Sequence, residues 1–189
     1  MDDLNTTPPA RAIGRRIVVY GNSGSGKSTL ARALGARLSL PAIELDAIYH
    51  ARPGWDDLSR EEFRERVAEV LDEHSGGWVI DGNYSVARDL VLPLAETAIW
   101  LKLPFRVVYR RLWWRTMKRL WTRELLWGSN RETFHDVFLS RESMLVWGVT
   151  HWRQTRCNLE RDLATVPHSA QVVVLRSRRE VEALLASCC

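Results

Sequence analysis

Cysteine is scarce and long apolar runs are missing from this chain of 189 residues. Its three cysteines form no C-x-x-C pair and its five histidines show no H-x-x-x-H spacing. A disulfide framework, a zinc site and a histidine metal site are therefore not expected. No apolar run reaches the roughly 18 residues of a membrane-spanning helix, and the acidic N-terminus lacks the apolar core of a secretory signal. We expect a cytoplasmic location and no membrane partner.

The composition is that of one globular domain, with 46% hydrophobic and 26% charged residues. We expect residues 1–14 to form a flexible leader and residues 15–189 to form a single domain. The net charge is +4, but the basic residues are unevenly placed, since eight of them and a single acid lie between Arg106 and Arg131. Such a cluster binds phosphate on a nucleotide, a nucleic acid or a lipid.

Short apolar runs alternate with segments of helical periodicity along the chain. The runs RRIVVYG, AIELD, GGWVIDG, TAIWLKL and QVVVLRS predict five strands. Helices are predicted at residues 27–40, 59–74, 104–126, about 134–164 and 179–187, with Ser59 and Glu62 forming a capping box. This alternation predicts an α/β fold with a parallel sheet and helices on both faces.

A glycine-rich loop follows the first strand and precedes the first helix. Its sequence matches G-x-x-x-x-G-K-[ST], a motif whose backbone N–H groups and helix N-terminus hold a nucleotide phosphate. Lys27 would reach the β- and γ-phosphates of ATP, and the Ser28 hydroxyl would bind Mg²⁺. The predicted nucleotide-binding residues are Gly21, Asn22, Ser23, Gly24, Ser25, Gly26, Lys27, Ser28 and Thr29.

A second Mg²⁺ ligand is expected at the end of a neighbouring strand. The run WVIDG supplies Asp81 after an apolar stretch, in the manner of a Walker B acid that holds the metal directly or through water. The alternative is an ordinary Asp-Gly turn.

Four stretches of the sequence, two of which include the motifs above, carry a family resemblance. YGNSGSGKSTLAR, LDAIYHARPGW, WVIDGNYS and LRSRREVE resemble the adenylate-kinase-related proteins labelled topology modulation proteins, over nearly the whole chain after about residue 15. The wider class is the nucleoside-monophosphate-kinase-like P-loop NTPase fold. The resemblance implies a five-stranded sheet in the order 2-3-1-4-5 and an arginine-bearing helical lid, which we expect at about residues 110–156.

The acceptor side departs from that family. Adenylate kinases usually follow strand 3 with D-G-F-P-R, whereas Asp81 and Gly82 are followed here by Asn-Tyr-Ser, and the next arginine is Arg88. Asp46 resembles the substrate-side acid of shikimate- and gluconate-type kinases, which orients an acceptor hydroxyl and takes its proton. A helix or turn cap is the alternative for Asp46. The predicted substrate-binding residues are Asp46, Asp81, Asn83 and Arg88.

Arginines near the lid are the expected partners of transferred phosphate. The resemblance places Arg110, Arg111 and Arg115 on the helix that leads into the lid, and Arg153 on the returning helix. Arg111, Arg115 and Arg153 are predicted to be catalytic. Arg176 follows the last strand, where the fold implies the adenine, and Arg110 would cover the opposite face of that base. For each arginine the alternative is a solvated surface charge.

Three functions fit these motifs. The first is an ATP- and Mg²⁺-dependent kinase that acts on a small molecule through its hydroxyl or phosphate. The second is a nucleotide-regulated nucleic-acid-binding protein, because tryptophans interleave with the basic cluster and can stack on bases, although lid packing also explains them. The third is a simple NTPase. The sequence names neither the acceptor nor the oligomeric state.

Overall fold

The computed structural model describes residues 12–51, 57–122 and 150–188. Five strands within these ranges form one sheet in the order β2-β3-β1-β4-β5, and every neighbouring pair is parallel. The sheet order and the α/β class are those predicted. The strands are β1 (Arg16–Gly21), β2 (Ala42–Glu44), β3 (Trp78–Asp81), β4 (Thr97–Leu101) and β5 (Gln171–Leu175).

Seven α-helices lie in the described ranges. They are α1 (Lys27–Leu38), α2 (Leu45–Tyr49), α3 (Arg60–Glu73), α4 (Arg88–Val91), α5 (Phe105–Thr122), α6 (Trp152–Thr165) and α7 (Arg178–Ala186). The predicted capping box at the start of α3 is confirmed, because the Ser59 hydroxyl accepts from Glu62 N at 3.2 Å and the Glu62 carboxylate accepts from Ser59 N at 2.9 Å. None of the helices that the structure describes is long and apolar enough to span a membrane.

Apolar cores lie on both faces of the sheet, as predicted from the apolar strands. Successive β1 side chains alternate between the two faces. On one face, Val18 and Tyr20 belong to a core that α3 and α6 cover with Phe63 and Leu159, among others. On the other face, Ile17, Val19, Val79 and Ile99 pack against Leu30 and Leu34 of α1 and Leu184 of α7.

The second strand ends earlier than predicted. The pattern AIELD predicts a strand through Asp46, but β2 ends at Glu44 and α2 begins at Leu45. Leu45 is buried, and Ile48 and Tyr49 pack against the same core. This spacing of i, i+3 and i+4 puts the three side chains on one helical face, so tertiary burial favours the helix.

Several boundaries and predictions fall in other places. Helix α1 ends at Leu38, with Ser39 in the left-handed conformation at φ 53°, before the proline that was expected to close it. Residues 1–11 of the predicted leader and residues 123–149 of the predicted lid lie outside the described residues. Helix α6 agrees with the second part of the helix predicted over residues 134–164.

Candidate functional site

The loop between β1 and α1 has the backbone that the phosphate motif requires. Gly24 and Gly26 adopt φ of 81° and 98°, in the left-handed region that favours glycine. The Ser25 N–H donates to Asn22 O at 3.0 Å, which closes the turn. Gly26 is the N-cap of α1, so the loop delivers the chain to a helix N-terminus, where N–H groups and the helix dipole attract anions.

Gly24→Ala tests how tightly this loop is packed against α5. A Cβ at Gly24 would lie 2.9 Å from Val108 O and 3.1 Å from Leu112 Cβ, on a backbone with φ of +81°. We expect the free energy of unfolding to fall by about 1–2 kcal/mol from the left-handed backbone alone, with a further loss from the contact with Val108. Gly76→Ala is the matched control, because a Cβ there meets nothing within 4 Å. Equal urea midpoints for the two variants would contradict the described packing.

Ser28 and Asp81, the two predicted Mg²⁺ ligands, are in contact beside the loop. The Ser28 hydroxyl donates to Asp81 Oδ2 at 2.5 Å. This contact follows from the topology, because β1 and β3 are neighbours and Val19 is paired with Asp81. Asp81 is 4% exposed, and burial raises the pKa of its carboxyl while the charge of nearby Lys27 lowers it.

The oxygen atoms at this point fit Mg²⁺. Within the described residues, Asp81 Oδ1 is buried and has no hydrogen-bond partner, although buried polar atoms are normally satisfied. A carboxylate and a hydroxyl are hard ligands, and Mg²⁺ in nucleotide sites takes one or two of them together with phosphates and water. Among the residues that the structure describes, no three or more His, Cys, Asp or Glu side chains are grouped so that they could hold a metal ion.

Asp46 lies on the same edge of the sheet as Asp81. It is exposed in the first turn of α2, and its charge contributes to the raised pKa of Asp81. Burial raises the pKa of the Tyr84 phenol, and the Asp46 charge raises it further. The Tyr84 ring packs against Tyr49 and Phe63 at centroid distances of 5.2 and 4.9 Å. Asp46 is therefore close enough to Asp81 and Tyr84 for its charge to act on both groups.

Asn83 and Arg88 are engaged by protein groups. The Asn83 amide is hydrogen-bonded to the backbone of Gly21, with Oδ1 accepting at 3.1 Å and Nδ2 donating at 2.5 Å. Arg88 is 5% exposed, donates to Asn83 O at 2.8 Å and forms an ion pair with Asp162 of α6. Its guanidinium lies over the Tyr20 ring. These contacts engage both ends of the Asn83 amide and both Nη atoms of Arg88, whereas Arg88 Nε is buried without a hydrogen-bond partner among the described residues.

One of the predicted arginines directly contacts the loop between β1 and α1, here termed the phosphate loop. Arg111 Nη1 donates to Ser25 O at 3.1 Å and lies 3.7 Å from the position of a Cβ on Gly26. Arg110 and Arg153 are exposed. Arg176 is exposed as well, and its backbone N–H donates to Glu180. The Arg115 side chain lies outside the described residues, so its predicted role is not tested.

Aromatic residues that the sequence analysis did not assign to the site border the loop. Asn22 Nδ2 donates to Trp152 O at 3.3 Å. The Trp152 ring packs edge-on against Phe105, which stacks on Tyr109. The spacing of Phe105 and Tyr109 at i and i+4 was a usable signal for a shared helical face. Their position beside Asn22 was not, because it depends on how α5 and α6 pack.

Known proteins resemble this chain over part of its length, although no family model matches it. The shikimate kinase of Haemophilus influenzae (strain PittEE) is 33% identical over 102 residues, which cover 44% of this chain and 57% of that protein. The shikimate kinase of Paramagnetospirillum magneticum is 30% identical over 115 residues, which cover 52% of this chain and 57% of the relative. The chain thus spans little more than half the length of the curated relatives it matches.

A solved structure extends the likeness to most of the fold. The shikimate kinase from Acinetobacter baumannii, in complex with shikimate, has a TM-score of 0.51 and 15% identity to this chain. The match covers 90% of this chain and 88% of the other. At this level of identity the likeness concerns the fold, and it agrees with the P-loop kinase-like sheet order.

Proposed function

We propose that this chain is a kinase that transfers the γ-phosphoryl group of ATP to a hydroxyl group of a small molecule. The observation that carries the proposal is the Ser28–Asp81 contact beside the phosphate loop, with one Asp81 oxygen unpartnered among the described residues. Asp46 on the same sheet edge supplies the carboxylate that can act as the general base for phosphoryl transfer to a hydroxyl. Relatives named shikimate kinase support the reaction class.

The residues have separate tasks in this reaction. The loop N–H groups and Lys27 hold the β- and γ-phosphates, and Arg111 adds positive charge next to the loop. Asp46 orients the acceptor hydroxyl and takes its proton as the oxygen bonds to the γ-phosphorus. The bond from that phosphorus to the β-phosphate oxygen breaks, and ADP leaves. Ser28 and Asp81 would hold Mg²⁺, which neutralises phosphate charge when bound.

A hydroxyl acceptor is favoured over a nucleoside monophosphate. The Asp46 carboxylate would repel an acceptor phosphate placed against it. The D-G-F-P-R arginine is missing, and the nearest substitute, Arg88, is paired with Asp162. Because the curated relatives carry the name shikimate kinase, a shikimate-like hydroxy acid is the first acceptor to test.

The motifs quoted above also lead us to infer membership of the group labelled topology modulation proteins. The nucleic-acid alternative depends on the basic, tryptophan-rich segment, and most of that segment lies outside the described residues. It therefore stays a prediction.

A screen for ADP production tests the proposed function. The purified chain is given ATP and Mg²⁺ with shikimate, other hydroxy acids, sugars, nucleosides or AMP. We expect a hydroxyl acceptor to raise ADP production well above the rate with ATP alone. An unchanged rate with every acceptor would indicate an NTPase, and stimulation by AMP alone would indicate adenylate-kinase chemistry.

Asp81→Asn is expected to weaken Mg²⁺-dependent turnover more than it weakens nucleotide binding without metal. Asparagine keeps the shape of the side chain but removes the charge that attracts the cation. Turnover is measured across a Mg²⁺ titration, and ATP binding is measured in the presence of a chelator. An unaltered Mg²⁺ dependence would make Asp81 a turn residue only. Asp72→Asn, at an exposed position near the end of α3, is the matched control.

A further inference from the structure

Asn83 and Arg88, which both follow β3, connect the phosphate loop to helix α6. Asn83 uses both ends of its side-chain amide on a single residue, accepting from Gly21 N at 3.1 Å and donating to Gly21 O at 2.5 Å. Gly21 is the last residue of β1 and the first glycine of the phosphate motif. The amide therefore fixes the backbone at the point where the loop leaves the sheet.

Arg88 fixes Asn83 in turn. Its Nη2 donates to Asn83 O at 2.8 Å, and its Nη1 forms an ion pair with Asp162 on α6. The guanidinium is nearly buried, at 5% exposure, and lies 5.3 Å from the centroid of the Tyr20 ring. A buried charge is costly unless it is paired, so Asp162 is needed to keep Arg88 in this position.

Helix α6 also has an ion pair that stays outside this connection. Glu160 contacts Lys102, which follows β4, at 2.5 Å. The Lys102 side chain also lies over the Trp100 ring, so its described contacts are with Glu160 and Trp100 and do not include Asn83 or Gly21. The helix thus offers two ion pairs two residues apart, and Asp162 is the one that leads to the phosphate loop.

We propose that Asn83 is a positioning residue of the phosphate loop, held by Arg88 and by Asp162 of α6. The inference rests on the proposed function, and it assigns Asn83 and Arg88 to the loop instead of the acceptor. The loop binds phosphate through several N–H groups that point to one place. If Gly21 were released, these N–H groups would no longer point to one place. The Asp162 carboxylate on α6 therefore affects phosphate affinity through Arg88 and Asn83.

Binding of ATP and of inorganic triphosphate, measured by calorimetry, tests the proposal without any acceptor. Asn83→Ala should weaken both ligands by about tenfold, the scale of two lost hydrogen bonds. Asp162→Asn should weaken both by severalfold. The matched controls, Asn158→Ala and Glu160→Gln, lie on the same helix as Asp162 and should bind as the wild type does. Circular dichroism and thermal unfolding establish that each variant is folded.

A double-mutant cycle separates positioning from general stabilisation. Asp162→Asn should have no further effect in the Asn83→Ala background, because residues of one network are not additive. Wild-type affinity in folded Asn83→Ala and Asp162→Asn, or fully additive effects, would overturn the proposal. If Asn83→Ala does not fold, equal affinities of Asp162→Asn and Glu160→Gln overturn it.

The same measurements keep this inference distinct from the proposed function. A wild-type chain that binds neither ATP nor triphosphate would overturn both. A chain that binds them and phosphorylates no acceptor would contradict the proposed kinase, and the binding results would still decide the role of Asn83.

Discussion

Lys27→Ala is expected to abolish nucleotide-dependent turnover and to leave the fold intact. Lys27 is the first residue of α1, directly after the left-handed Gly26, and is only partly buried. It belongs to neither apolar core, so its loss removes little packing. Its charge would stabilise the transferred phosphate, and removing one such electrostatic group typically lowers kcat by about 10²–10³-fold.

Steady-state ADP production with the best acceptor measures this effect, and circular dichroism checks the fold. Lys102→Gln is the control, since Lys102 pairs with Glu160 of α6 and has no place in the proposed chemistry. Turnover in Lys27→Ala equal to that of the wild type would contradict the assignment of this loop to catalysis.

Asp46→Asn should lower kcat for phosphorylation by about 10²-fold or more, the scale of a lost general base, with ATP affinity nearly unchanged. The residue is exposed in the first turn of α2, at the sheet edge that carries the loop. Asparagine preserves its size and cannot take a proton. The N-cap of α2 is Glu44, and no side-chain hydrogen bond among the described residues caps this helix, so Asp46 does not act as its cap.

The size of the effect should depend on the acceptor. Hydroxyl acceptors should outcompete nucleoside monophosphates in the wild type, and kcat should fall for them in Asp46→Asn. Asp72→Asn serves again as the matched control. Efficient AMP phosphorylation by the wild type that persists undiminished in Asp46→Asn would make the acid structural.

The sheet and the phosphate loop were predictable because their signals are local. Each strand is an apolar run of a few residues, and the loop motif lies between a strand and a helix. The sheet order came from the family resemblance, and the observed order confirms it. The Ser28–Asp81 contact then follows from the pairing of β1 with β3.

The remaining features depend on contacts between distant residues. Asn83 reaches Gly21 across 62 positions, and Arg88 reaches Asp162 across 74. Arginines are rarely buried without a partner. No local pattern indicates which arginine will be buried or where along the chain its partner lies. The spacing of Leu45, Ile48 and Tyr49 was a usable signal for the short helix α2. The β-branched Ile43 just before them, however, favoured a strand through Asp46.

The identity of the phosphorylated product tests the central claim most directly. The chain is incubated with Mg²⁺, ATP radiolabelled in the γ-phosphate, and shikimate, another hydroxy acid or AMP as the acceptor, and the products are separated. The account predicts that the label moves to the hydroxyl of the acceptor in the wild type, and that transfer is lost in Lys27→Ala and Asp46→Asn. Label found only in inorganic phosphate, or only in ADP formed from added AMP, would contradict it.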